Sequence, residues 1–298
     1  MDSSTTKKNV TILLLEECNF NCRNCFREDE NIYPGYKLSW QDIKTILSDC
    51  QKVSLVQGIS FTGGEPTLWQ EDKYNLIDLL IEIAKTGFST GFITNGSYFV
   101  NYDKCRAFFE RYFAEADKPL FITVSMDTFH NNFNKRTKRA SELDNLLKYK
   151  TGLPVLKQNL LKIHIEVVVS KEKTSLLPDD LISYYESMGI SFKFTPLVPV
   201  GKGRALKKIC PELGRNDEEG LGAFYVARHK NKPHVFQYRD RIHIFMIDGN
   251  YYLFSTTNKD RIFARLGQLN DDILDDYLNK NQDVKKWISS FIEASRDK

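Results

Sequence analysis

Three of the six cysteines fall within one short stretch, Cys18-Asn-Phe-Asn-Cys22-Arg-Asn-Cys25, and thiolates gathered this closely are natural ligands for a metal. The CxxxCxxC spacing lets one compact loop wrap three corners of an iron–sulfur cubane, for which thiolate is the required ligand. With only three protein ligands nearby, one iron would stay open to a substrate or cofactor, whereas an electron-transfer cluster is normally held by four thiolates. Two plainer readings stand beside this one. A zinc ion could complete its tetrahedron with Cys50, Cys105, Cys210 or a histidine, and the three thiols could simply be packed side chains.

A second group follows about forty residues on: Ser60-Phe-Thr62-Gly63-Gly64-Glu65-Pro66-Thr67-Leu68. Paired glycines let the backbone approach a ligand that a β-carbon would exclude, and a neighbouring carboxylate can take charge-assisted hydrogen bonds from an ammonium group. Taken alone, the segment also reads as an ordinary turn with a helix opening at Pro66. Further polar residues cluster at Ile93-Thr94-Asn95-Gly96 and at Val124-Ser125-Met126-Asp127-Thr128-Phe129-His130. Each of these could instead cap a following helix.

These groups need strands to position them. β-Branched and apolar runs at 10–17, 58–62, 89–94, 121–127, 162–170 and 191–198 start some 30 to 50 residues apart, far enough for a crossover helix each time and hence for parallel pairing. Ser39-x-x-Asp42 opens one helix, and 74–85, 103–114, 141–150 and 178–188 supply others, with Gly87 and Gly189 as stops. Six βα units make an α/β fold, a partial (β/α)6 barrel of the TIM type, whose chemistry sits at the carboxyl ends of the strands. A doubly wound open sheet is the competing architecture.

Thr123, Ser125 and Asp127 share one face of their strand. Lys162, His164, Glu166, Val168 and Ser170 share one face of the next, opposite Ile163, Ile165, Val167 and Val169. The pattern suggests apolar faces against helices and polar faces in a wet lumen enclosing a polar ligand. An antiparallel sheet with one solvated face would show the same alternation.

Composition narrows the class. The 298 residues are 41% hydrophobic and 27% charged, as in a folded globular protein. A formal charge of +3 from 42 basic and 39 acidic residues is too balanced to indicate nucleic acid or a membrane as partner. No apolar segment reads as a signal peptide or span, and the scattered Cys50, Cys105 and Cys210 do not resemble a secreted disulfide framework, so a cytoplasmic location is expected.

On its cysteine motif and the Gly-Gly-Glu-Pro segment in register after it, the chain resembles the radical S-adenosylmethionine (SAM) superfamily over roughly its first 200 residues. The resemblance implies a [4Fe-4S] cluster on Cys18, Cys22 and Cys25, with SAM chelating the fourth iron. It implies that Gly63, Gly64 and Glu65 meet the SAM amino group. It further implies that Ser125, with Asn95 or Asp127, meets its carboxylate or ribose, and that Val168 packs on adenine. The implied activity is reductive cleavage of SAM to a 5′-deoxyadenosyl radical that abstracts a substrate hydrogen, with a reductant such as a flavodoxin or ferredoxin. Members commonly place an aromatic residue before the third cysteine; this chain has Asn24.

The expected domains are a flexible tail over 1–9, the barrel over 10–201 and an extension over 202–298. In the extension, 243–247 and 251–254 read as a hairpin turning at Asp248-Gly249, followed by a helix at 271–279. Together with Pro196-Leu-Val-Pro-Val-Gly201-Lys-Gly-Arg204, this hairpin resembles the SPASM or twitch region of peptide-modifying members. Cys210 is the only cysteine there, so no auxiliary cluster is expected and the region could serve as a lid. The expected substrate is a ribosomally made peptide. The alternatives are a nucleotide or other small molecule, as in viperin-like enzymes, with Lys162, Lys193 and Arg204 engaged, or a non-catalytic cluster-binding protein.

Overall fold

The computed structural model describes residues 8–25, 35–54, 56–127, 129, 136–170, 179–197, 201–209, 241–247, 250–255 and 262–267. Six strands, β1 (Lys8–Leu15), β2 (Val56–Gly63), β3 (Ser89–Thr94), β4 (Leu120–Ser125), β5 (Leu161–Val169) and β6 (Ser191–Pro196), lie side by side in chain order, every neighbouring pair parallel. Between them run α1 (Trp40–Gln51), α2 (Leu76–Lys85), α3 (Tyr102–Glu115), α4 (Arg136–Gly152), the single turn α5 (Val155–Gln158) and α6 (Asp179–Ser187). A doubly wound sheet reverses its strand order at a switch point. The order here never reverses across these six strands, which is the arrangement of a partial barrel.

The register sorts the side chains by face. Ile12, Phe61, Phe92, Ile122 and Ile163 stand opposite one another across five strands, none more than 2% exposed, in the core cluster that also holds Leu79, Leu80, Phe109 and Leu146 from the helices. The alternate positions form the mixed rows Thr11–Ser60–Gly91–Phe121–Lys162 and Ile93–Thr123–His164–Ser191. Thr11 and Ser60 bond through their hydroxyls at 2.9 Å, and His164 Nδ1 contacts Ser191 Oγ. The expected polar inner face is therefore present in part: Phe121 and Ile93 interrupt it, and Thr11 and Thr123 are buried within it rather than wet.

Local signals set the helix ends. Ser39 Oγ accepts from Asp42 N at 3.1 Å while Asp42 Oδ2 accepts from Ser39 N at 3.0 Å, a reciprocal capping box opening α1. Helix α2 begins at Leu76, not at Tyr74 as expected. Asn75 is its N-cap, and Tyr74–Asn75 pair with Gln70–Glu71 as a tiny ribbon on which Trp40 stacks at 4.4 Å. Gly87 and Gly189 take positive φ (98° and 74°), as helix-stopping glycines do.

The C-terminal region continues the same sheet. Strand β7 (Arg241–Ile247) pairs parallel with the outer edge of β1, from Asn9↔Arg241 to Ile12↔Ile244, and β8 (Asn250–Ser255) and β9 (Ile262–Gly267) follow antiparallel. The expected hairpin corresponds to β7 and β8, and β9 is an unanticipated third strand. Residues 201–209 form a 3-10 helix (Gly201–Ile209) where only a lapse of pattern was expected. The tail at 1–7, the turn at Asp248-Gly249, Cys210 and the expected helix at 271–279 lie outside the described residues.

Candidate metal centre

The cysteine loop leaves β1 at its carboxyl end and is stitched to the exits of neighbouring strands. Gly64 N donates to Leu15 O at 2.6 Å and Glu65 N to Glu17 O at 2.8 Å. A β-carbon on Gly63, whose φ is +141°, would lie 2.3 Å from Leu15 O, and one on Gly64 would lie 1.8 Å from Glu17 O. Thus the paired glycines are required by the protein's own chain: they let the backbone leading into Cys18 pass against the turn after β2.

Glu65 is the buried centre of this turn, with no exposed surface. Its Oε1 accepts from Thr67 N (3.2 Å), Thr67 Oγ1 (2.7 Å) and Thr94 Oγ1 (2.8 Å), and its Oε2 from Asn95 N (2.7 Å). Burial pushes the carboxyl above its ordinary range, while these bonds, led by that from the Asn95 backbone, pull the other way. The sequence suggested that this carboxylate meets an ammonium group. In the structure its oxygens are occupied by protein donors, and it ties the β2 turn to the end of β3.

Asn95, 7% exposed, extends the tie to the cysteines. Its Nδ2 donates to Asn19 Oδ1 at 2.8 Å and to Cys18 Sγ at 3.8 Å, its Oδ1 accepts from Ser97 N at 2.9 Å, and Asn19 Nδ2 donates to Ser97 Oγ at 2.9 Å. Phe20 N adds a bond to Cys18 Sγ at 3.4 Å. Across the loop, Arg23 N donates to Phe129 O at 3.2 Å and Lys202 N to Cys25 O at 3.0 Å, with Lys202 Nζ on Asn21 Oδ1. The loop is therefore held by the exits of β2, β3 and β4 and by the helix beyond β6.

The three motif cysteines are partly exposed, whereas Cys50 and Cys105 are buried on α1 and α3, where burial pushes both thiols up to about 12. Among the described residues no three His, Cys, Asp or Glu side chains converge closely enough to hold a single metal ion. A cubane instead spreads its corner ligands apart, and three partly exposed thiolates on one anchored loop, one already receiving N–H···S bonds, fit that donor set.

The remaining expected residues sit on the same rim. Ser125, partly exposed, ends β4 beside Glu166 of β5. Asp127 is fully buried, and its oxygens accept from Phe129 N at 2.8 Å and Val168 N at 3.2 Å, bracing the exit of β4 against β5. Val168 is partly buried and packs on Phe129, Leu197 and Leu206. Sequence reasoning missed Thr67, Thr94, Asn19, Ser97 and Lys202 as members of this network. Asn19, Thr67, Thr94 and Lys202 do stand inside segments singled out beforehand, and only Ser97 does not, but nothing in the spacing assigns their partners.

Among the described residues no helix is long and apolar enough to cross a membrane. Residues 12–149 match the profile of the Radical SAM superfamily. The chain is 24% identical over 206 residues to GTP 3′,8-cyclase of Clostridium perfringens, covering 67% of this chain and 58% of that enzyme. It is 24% identical over 251 residues to the putative peptide biosynthesis protein YydG of Bacillus subtilis, covering 82% and 68%. The fold resembles that of Streptococcus suis SuiB, crystallised with its precursor peptide SuiA, at a TM-score of 0.53 and 15% identity over 83% of this chain and 59% of that one. The chain thus spans less than two thirds of the cyclase's length.

Proposed function

We propose, for a chain whose residues 12–149 match the Radical SAM superfamily profile, that it is an enzyme which cleaves SAM reductively at a [4Fe-4S] cluster and modifies a ribosomally made peptide. The observation that carries this is the anchoring of the Cys18–Cys25 loop to the Gly63-Gly64-Glu65 turn and to Asn95, above a polar inner face. Bound together, cluster and cofactor supply a 5′-deoxyadenosyl radical able to take a hydrogen atom from carbon.

The protein's part is to hold and to shield. Cys18, Cys22 and Cys25 ligate three irons. The turn at Gly63-Gly64-Glu65 receives the SAM amino group through its backbone, while the Glu65 carboxylate keeps that turn in shape. Ser125, on the rim and partly exposed, meets the carboxylate or ribose, and Val168 offers an apolar face to adenine. Asn95 and Asp127 have their side chains engaged with protein groups and fix the turns around the cofactor. A rim braced in this way holds the reacting carbon near one substrate hydrogen.

The likeness to YydG and to the peptide-bound SuiB supports a peptide substrate. Likeness to GTP 3′,8-cyclase supports the second reading, a nucleotide, for which Lys162 offers a contact; the side chains of Lys193 and Arg204, expected beside it, lie outside those described. The reductant is a flavodoxin or ferredoxin, the setting cytoplasmic, and the extension carries no auxiliary cluster.

Anaerobic reconstitution with iron and sulfide, then SAM and dithionite, tests the proposal. Formation of 5′-deoxyadenosine, accelerated by candidate precursor peptides, is expected. Acceleration by GTP and not by peptides would move the substrate to the second reading. No 5′-deoxyadenosine under any condition would leave a non-catalytic cluster protein.

A further inference from the structure

The exit of β3 carries an asparagine whose orientation is fixed from every side. Its backbone N–H is held by Glu65 Oε2 at 2.7 Å, and its Oδ1 takes the Ser97 N–H at 2.9 Å in a turn just after the strand. That leaves Nδ2 directed at the cysteine loop, 2.8 Å from Asn19 Oδ1 and 3.8 Å from Cys18 Sγ. Flipping the amide would set oxygen against the Asn19 oxygen and the thiolate, and nitrogen against the Ser97 N–H, so the network permits one assignment.

An N–H donor on a ligand sulfur draws electron density from it. Such bonds are among the terms that set the potential of an iron–sulfur cluster, because the donor favours the more negative, reduced state. A neighbouring amide also aims the ligand it touches.

We infer that Asn95 is a positioning residue of the metal centre. Its amide is committed to Cys18 and Asn19 rather than to the cofactor, and through the N–H···S bond it holds the cluster at a higher potential than the thiolates alone would give. The inference rests on the reading that Cys18, Cys22 and Cys25 carry a [4Fe-4S] cluster.

The experiment is an EPR-monitored redox titration of the reconstituted full chain without SAM, at matched iron and sulfide content. Asn95→Ala should shift the reduction equilibrium about tenfold toward the oxidised form, 59 mV for a one-electron couple. Asn95→Asp keeps the shape of the side chain but puts negative charge beside the thiolate, so it should shift the equilibrium further in the same direction. Asn19→Ala removes the tie to the loop and leaves the N–H···S donor, and its equilibrium should stay near that of the wild type.

Should Asn95→Ala take up no iron, Asn95→Asp carries the test, and loss of iron in both overturns the tuning role. Potentials in the Asn95 variants equal to wild type overturn the inference alone. So does an Asn19→Ala shift as large as that of Asn95→Ala, which would assign the effect to loop packing. A wild-type chain that assembles no cluster overturns the reading beneath the inference and the inference with it.

Discussion

Thiol reactivity separates the cysteines that face the rim from those that pack helices. Cys50 and Cys105 are buried with thiols pushed up to about 12, so at pH 8 almost none of either is thiolate. Iodoacetamide added to the folded, metal-free chain should therefore mark Cys18, Cys22 and Cys25, as read by peptide mass spectrometry, and spare Cys50 and Cys105 until denaturant is added. Labelling of Cys50 at the rate of Cys22 in the native protein would contradict the burial. Glu65 offers a second test. Glu65→Gln sets an amide N–H2 among four donors, leaving at least one bond unmade in a buried site, and should cost about 1–3 kcal/mol in urea unfolding. At this scale the cysteine loop at the exit of β1 was legible, because the CxxxCxxC spacing is local. The partners of Glu65 were not legible, because Thr94 and Asn95 come from the next strand and local spacing does not report them.

The meeting of β1 and β2 at their carboxyl ends depends on absent side chains. Gly64→Ala would place a β-carbon 1.8 Å from Glu17 O, and that contact is with backbone, which cannot swing aside as a flexible side chain can. Overpacking of this kind costs about 1–3 kcal/mol, and here it also pushes the cysteine loop off its anchor. A lowered urea midpoint together with reduced iron uptake is the expected result. Gly152, at the end of α4, has open space around its Cα, and Gly152→Ala should leave iron uptake intact and raise stability by about 0.4–1 kcal/mol through the unfolded chain. Equal effects of the two substitutions would mean that the approach of β1 to the β2 turn is looser than the geometry states. Element positions were largely readable where the signal is local. Ser39 and Asp42 opened α1, and β3 runs over the expected 89–94. Tyr74 was misread as helical because the ribbon it joins is only two residues long and is marked by the packing of Trp40, not by periodicity.

The whole molecule shows where sequence reasoning ran out, at the edge of β1. Six strands in chain order follow from alternating βα segments, but nothing in the residues 241–247 declares that they return across more than two hundred positions to lie parallel to β1. Alternation reports that a segment is a strand and is silent about its partner. The consequence is mechanical: the strand that delivers the cysteine loop is held on both sides, by β2 and by β7. Ile244 stands between Ile12 of β1 and Leu253 of β8, so its backbone N–H serves one neighbour or the other. Ile244→Pro removes that N–H and crowds the ladder there. Ile244→Val keeps the N–H and the β-branched strand former, so the ladder stays intact. The proline variant should therefore unfold at clearly lower urea than the valine variant, and should lose iron faster to a chelator, since freeing one edge of β1 loosens the strand beneath Cys18. Chelation rates that match between the two would mean that β7 covers the sheet edge without restraining the metal centre.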